Sequence, residues 1–228
     1  MGRIAIVGAG ISGLSAAHAL RKAGHEVTVF EAASHRGGHA KTVDVDGMPV
    51  DMGFIVFNDR NYPCFTALLD ELGVTAQPSD MSFAVTDGGG FEYGTGGIGG
   101  LFATLPRPAY LRMLLDVRRF QREAVELLDT DSDESLGHYL QRNRYSHWFV
   151  DRLLVPQAAA VWSAPEGQMW AFPARFLARF FHNHGILSLR GRPRWFTVPG
   201  GSRTYVEALT AGLDATRLSP HRGAGLLH

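Results

Sequence analysis

The apolar and polar positions of this chain fall into a short, regular opening. Arg3-Ile4-Ala5-Ile6-Val7 is an apolar run of the kind a strand buried on both faces shows. Glycines stand at 8, 10 and 13, and then 14–23 is rich in helix formers and stops at Gly24. A second strand-like run, Glu26-Val27-Thr28-Val29-Phe30, ends on the acidic Glu31. Beyond it the pattern alternates like a hairpin as far as Asp51, and 61–72 reads as a helix closed by Gly73. Residues 82–86 and 91–93 read as a strand pair across a glycine cluster, and 94–100 is too glycine-rich to place. Helices are predicted over 108–128, 135–144, 148–161 and 173–184. The first sets Met113, Val117, Phe120, Ala124 and Leu127 on one side and Arg112, Arg118, Arg119 and Arg122 on the other.

Each part of the opening has a physical task in holding a dinucleotide. Gly8 permits a tight turn, Gly10 lets the backbone approach a pyrophosphate, and Gly13 lets the helix pack close to the strand. The helix N-terminus offers unpaired N–H groups and the positive end of its dipole to the phosphates. Glu31, about 20 residues past the turn, is placed to accept hydrogen bonds from the adenosine ribose, and a 2′-phosphate there would meet a carboxylate.

Composition then narrows the class. With 228 residues, net charge +0 and pI about 7.2, the chain has ample length for a core and no electrostatic case for nucleic acid as main partner. The single cysteine, Cys64, forms no internal disulfide and reads as a small buried residue on a helix. No run of about 20 apolar residues suggests a membrane span, so the expected compartment is the cytoplasm. The arginine side of 108–128 has two readings: a solvated face, which is the commoner outcome, or contact with an anionic membrane surface. The aromatics of 148–195 read mostly as core, with an apolar substrate tunnel as the alternative.

The segment after Glu31 narrows the cofactor. Gly37-Gly38 come six and seven residues after the acid, and Asp51-x-Gly53 lies further on, where a plain NAD dehydrogenase would already have entered its next helix. Here the sequence resembles the flavin-containing amine oxidase superfamily, with its monoamine oxidases, protoporphyrinogen oxidases and phytoene desaturases. "GGHAKTVDVDG", "GFIVFN", "NYP" and "VPGGSRTYVEAL" further resemble bacterial flavoproteins described only as predicted NAD/FAD-binding and associated with cyclopropane-fatty-acid synthase-like enzymes.

The resemblance implies FAD as cofactor. It implies that Gly8, Gly10, Ser12 and Gly13 meet the pyrophosphate, that Glu31 with Ala32 beside it meets the ribose, and that Gly37, Gly38 and His39 meet the phosphate and ribityl region. Gly53 and Phe54 match the segment that passes the isoalloxazine ring. His39 stands where the superfamily usually has Arg, so a fixed cation becomes one whose charge is conditional. The implied activity is oxidation of a small-molecule or lipid-type substrate by hydride transfer to flavin N5. No catalytic acid or base is assigned, and no metal site: His182 and His184, two apart, leave a helix in different directions.

The expected fold is α/β, a Rossmann-like FAD/NAD(P)-binding domain with an inserted, largely helical substrate or cap region. Residues 1–60 begin the nucleotide domain, 61–194 form the inserted region, and 195–228 return through Gly200-Gly201. Relatives of this kind are typically about twice as long, and the tail loses its strand signal at Pro220, Gly223 and Gly225, so a C-terminal truncation is expected. Two alternatives stay open: a non-catalytic dinucleotide-binding fragment, and an NAD-dependent dehydrogenase.

Overall fold

A computed structural model describes residues 1–86, 88–89, 91–94, 108–188, 191–213 and the backbone of 218–219. The glycine loop around Gly96, Gly97, Gly99 and Gly100 and the tail with Pro220, Gly223 and Gly225 lie outside the described residues.

In chain order the elements begin with β1 (Arg3–Val7), α1 (Ile11–Lys22), β2 (Glu26–Phe30), β3 (Thr42–Val45), β4 (Met48–Asp51), β5 (Phe57–Asn58), α2 (Pro63–Leu72) and β6 (Gln77–Ser79). They continue with β7 (Ala84–Thr86), β8 (Glu92–Gly94), α3 (Pro108–Glu123), α4 (Leu136–Arg142), α5 (His147–Phe149), α6 (Val155–Trp162), α7 (Glu166–Met169) and α8 (Ala174–Asn183). The last are β9 (Trp195–Thr197), α9 (Arg203–Ala211) and β10 (Leu218–Ser219). The chain divides into two compact units, Met1–Ser79 with Arg194–His228, and Asp80–Pro193.

In the first unit β1 and β2 run parallel, Arg3 opposite Glu26 through Val7 opposite Phe30, and β10 joins the far side of β2 in the order β1-β2-β10. This strand–helix–strand arrangement is the Rossmann-like start that the opening pattern predicts. Helix α1 lies against the sheet through buried Leu14 and Ala17, ends with Arg21 and Lys22 at the negative end of its dipole, and is closed by Gly24. The 42–51 alternation is an antiparallel hairpin, Thr42 opposite Asp51 and Val45 opposite Met48. Strands β5, β9 and β6 form a small antiparallel sheet with β9 central.

The sequence puts 61–79 with the inserted region, whereas α2 and β6 group with the first unit. Apolar packing is the reason: Leu69 is buried in that unit's core, and Phe65 meets Tyr205 edge-on with ring centroids 5.2 Å apart. Helix α2 begins with Pro63 in its first turn and ends at Gly73 in a left-handed cap, the asymmetry expected of a short surface helix. Cys64 lies on this helix but is exposed, not buried, because Leu69 alone among its residues turns fully inward.

The second unit packs helices around Tyr110, Met113, Phe120, Phe149, Leu154, Leu177 and Phe181, with Phe91 from the hairpin β7–β8. The predicted stripe on α3 is the one that turns inward, although the last turn, Ala124–Asp129, tightens to a 3₁₀ helix. The single helix predicted over 148–161 is interrupted instead by a wide π turn at Val150–Leu154. Pro156 explains this: it lacks an N–H and cannot continue regular helical pairing, so the preceding turn widens. Ser135 and Ser146 cap α4 and α5 by accepting the N–H of His138 and Phe149. His184 is half-buried at the end of α8, its ring stacked on Phe180 at 3.8 Å.

Candidate nucleotide site

Two glycine motifs far apart in sequence meet in the first unit. The Gly8 N–H donates to the Phe30 carbonyl at 2.7 Å, fixing the turn after β1 against the end of β2. Gly10 is the N-cap of α1 and no side chain caps the helix there, so its first N–H groups have no side-chain acceptor. A Cβ on Gly10 would meet nothing within 4 Å, which leaves room in front of those groups. Ser12 is exposed in the first turn. At Gly13 the need for glycine is close approach: a Cβ would run into the Gly8 carbonyl oxygen and lie 3.3 Å from Ile6 Cγ2.

Gly37 comes directly against this turn. It bridges Gly10 in parallel fashion, and its N–H donates to the Ala9 carbonyl at 2.8 Å. With φ +101 it holds a conformation that side chains rarely adopt, and a Cβ would also strike the Ala40 carbonyl. Gly38 is exposed beside it, and a Cβ there would lie 3.2 Å from Gly10 Cα.

Glu31 ties the turn from the other side. One carboxylate oxygen accepts the Ala9 N–H at 2.6 Å and the other the Ala33 N–H at 2.7 Å. The Ala33 N–H and then the Ala9 N–H hold the Glu31 carboxyl below the usual carboxylate range. An ionised carboxylate is thereby fixed at the end of β2, with lone pairs remaining for hydroxyl donors. Ala32 is exposed next to it.

His39 is exposed, and its carbonyl takes the Phe54 N–H at 3.4 Å, which brings Gly53 and Phe54 beside His39. A Cβ on Gly53 would strike that same carbonyl. The Phe54 ring turns away into an aromatic cluster, 5.3 Å from Phe65 and 5.8 Å from Tyr62, so backbone is what this residue offers a ligand. A groove of about 390 Å³ lined by Phe57, Thr66, Leu69 and 73–76 contains none of these residues. Among the described residues no cluster of three or more His, Cys, Asp or Glu could hold a metal ion.

The sequence singles out Asp51 only for its spacing from Gly53; the structure gives its side chain a larger part. Its Oδ1 accepts from the Thr42 hydroxyl at 2.6 Å, the Ser202 hydroxyl at 2.7 Å and the Ser202 N–H at 2.8 Å. By its position Ser202 should cap α9 with its own oxygen; instead Asp51 takes its N–H and the serine hydroxyl as well. Thr42 accepts the Arg203 N–H at 2.9 Å, and Arg203 pairs with Asp44 in a forked contact. The polar face of the hairpin therefore holds α9, and Val206 of α9 lies against Gly37. Its apolar face, with Val45, Met48, Val50 and Met52, is exposed. Period-two reasoning puts the apolar face inward, and only the register of Thr42 with Asp51 hints otherwise.

Comparison with known proteins points to the same kind of fold. Residues 6–72 match the NAD(P)-binding Rossmann-like domain family. A Mycobacterium tuberculosis protein provisionally named flavin-containing monoamine oxidase AofH is 27% identical over 230 residues, which cover 93% of this chain and 48% of that protein. Protoporphyrinogen oxidase 2 of Arabidopsis thaliana is 29% identical over 160 residues, 68% of this chain and 31% of that one. Cyclohexylamine oxidase from Brevibacterium oxydans superposes with a TM-score of 0.68 at 18% identity, covering 94% of this chain and 50% of its own, and shows the same fold. The chain spans about half the length of the first of these relatives. With its paired glycine motifs and its likeness to these oxidases and to a desaturase, the chain is similar to proteins of the flavin-containing amine oxidase superfamily.

Proposed function

We propose that this chain binds FAD and forms the nucleotide-binding part of an oxidoreductase of the amine oxidase type. The observation that carries the reading is the seating of Gly37 on the Gly8–Gly13 turn, which unites two glycine motifs in one cradle. In it the N-terminus of α1 faces the pyrophosphate, and Glu31, already fixed by two backbone N–H groups, accepts from the adenosine ribose. Gly38 and His39 border the ribityl side, and the backbone of Gly53 and Phe54 runs along the ring. Bound FAD supplies the hydride acceptor for a small-molecule or lipid-type substrate. The protein's own contribution is to orient the dinucleotide and to keep the Glu31 carboxylate ionised, which disfavours a 2′-phosphate.

An absorption spectrum of the purified chain, before and after adding FAD and removing the excess, tests this directly. Retained visible flavin bands are expected. A protein that stays colourless and retains no FAD sinks the proposal; turnover with a nicotinamide cofactor and no bound flavin points to a dehydrogenase instead.

A further inference from the structure

We infer that the outward face of α3 docks on an anionic lipid surface. The residues along the outer line of this helix are Leu111, Leu115, Arg118 and Arg122, spaced by four, three and four, so they stack along one stripe. All four are exposed, Leu111 at 49% and Leu115 at 67%. The opposite side of the same helix already fills the core with Tyr110, Met113 and Phe120, so the exposed leucines are a second apolar feature and not a frayed edge of the first.

Among the described residues the unpaired charge on the stripe is positive. Arg112 and Arg119 flank the stripe and turn their heads to Asp116, at 3.4 and 3.3 Å, and Arg119 also reaches Glu123 at 3.3 Å. Asp116 is buried on the core side, where it also accepts the Ser146 N–H at 3.0 Å. Among the described residues Arg118 and Arg122 have no acidic partner, and the acids of α3 itself, Asp116 and Glu123, lie off the stripe. Glu126 and Asp129 are exposed only beyond its last turn. Two free arginines beside two exposed leucines match a surface that offers phosphate oxygens and, beneath them, hydrocarbon. An acidic protein patch would answer the arginines and leave the leucines wet. A purely apolar partner would strand the arginine heads.

The test is flotation of the full chain with vesicles of phosphatidylcholine alone and of equimolar phosphatidylcholine and phosphatidylglycerol. Binding is expected to the anionic vesicles only and to weaken with salt. Each arginine near such a surface contributes roughly fivefold in partitioning, so Arg118→Gln with Arg122→Gln should weaken it roughly 25-fold. Leu111→Ser with Leu115→Ser should abolish flotation while leaving far-ultraviolet dichroism unchanged, because both side chains are exposed. Equal binding to both vesicle types, no binding to either, or a double-arginine variant that floats like the parent overturns the inference. So does a dimer that dissociates in the leucine variant, since that makes a second copy the occupant.

Discussion

Replacing Asp51 with Ala should loosen the attachment of α9 to the hairpin β3–β4. One oxygen, Oδ1, receives three donors: the Thr42 hydroxyl, the Ser202 hydroxyl and the Ser202 N–H. A hydrogen bond to a charged acceptor is worth about 1.5–3 kcal/mol, but the site is only partly buried and three donors on one atom are not additive. Counting about 1 kcal/mol for each gives an expected loss of about 3 kcal/mol. Against a total stability of roughly 5–15 kcal/mol this is a large share. Urea unfolding with an unchanged slope measures it, and hydrogen exchange of the 202–204 amides localises it. Asp51→Asn, which keeps an acceptor, should lose about half as much. A loss below about 1 kcal/mol in the Ala variant would refute the idea that this carboxylate fastens α9 to the hairpin.

Gly13→Ala gains about 1 kcal/mol of helix propensity yet forces a Cβ into the Gly8 carbonyl, and overpacking of that kind costs typically 1–3 kcal/mol. Net destabilisation and loss of FAD retention are expected, and a variant that melts at or above the parent temperature with flavin bound contradicts the close approach. Glu31→Gln should cost stability that depends on acidity. The folded carboxyl sits below its ordinary value of 4.5, so its contribution is present above that value and disappears as pH falls through the lower, folded one. Acid unfolding curves of the two proteins should therefore converge at low pH, and a gap that widens there would reverse the assignment.

The opening of the fold is legible in the sequence because its constraints are local. Strand, glycine turn, helix, strand and acid lie within about 30 residues, and each has a composition that only one local structure accommodates. The inward stripe of α3 is legible for the same reason. The features that stay hidden depend on partners distant along the chain. The hairpin's polar side faces inward because Thr42 and Asp51 meet Ser202, a contact spanning 160 residues for the two hydroxyls, and alternation alone cannot know that a helix N-terminus waits there. Cys64 escapes the pattern because helix position does not fix burial; Leu69 on the same helix takes the inward direction. The π turn before Pro156 requires weighing a missing N–H against an otherwise continuous apolar pattern.

The small sheet of β5, β9 and β6 also sets an order of events during synthesis. Ser79 lies opposite Trp195, so the chain leaves the first unit and re-enters it side by side, with Asp80–Pro193 made in between. Until β9 and α9 leave the ribosome, Phe57, Phe65 and Leu69 lack Phe196 and Tyr205, and the newly made N-terminal segment holds an unfinished core. Closing an unstructured loop of roughly a hundred residues costs about 4 kcal/mol, whereas a second unit that has already folded brings its ends together and removes much of that cost. Pairing of β6 with β9 therefore has to span Asp80–Pro193, and the apolar core of the first unit is complete only after that whole segment has been made.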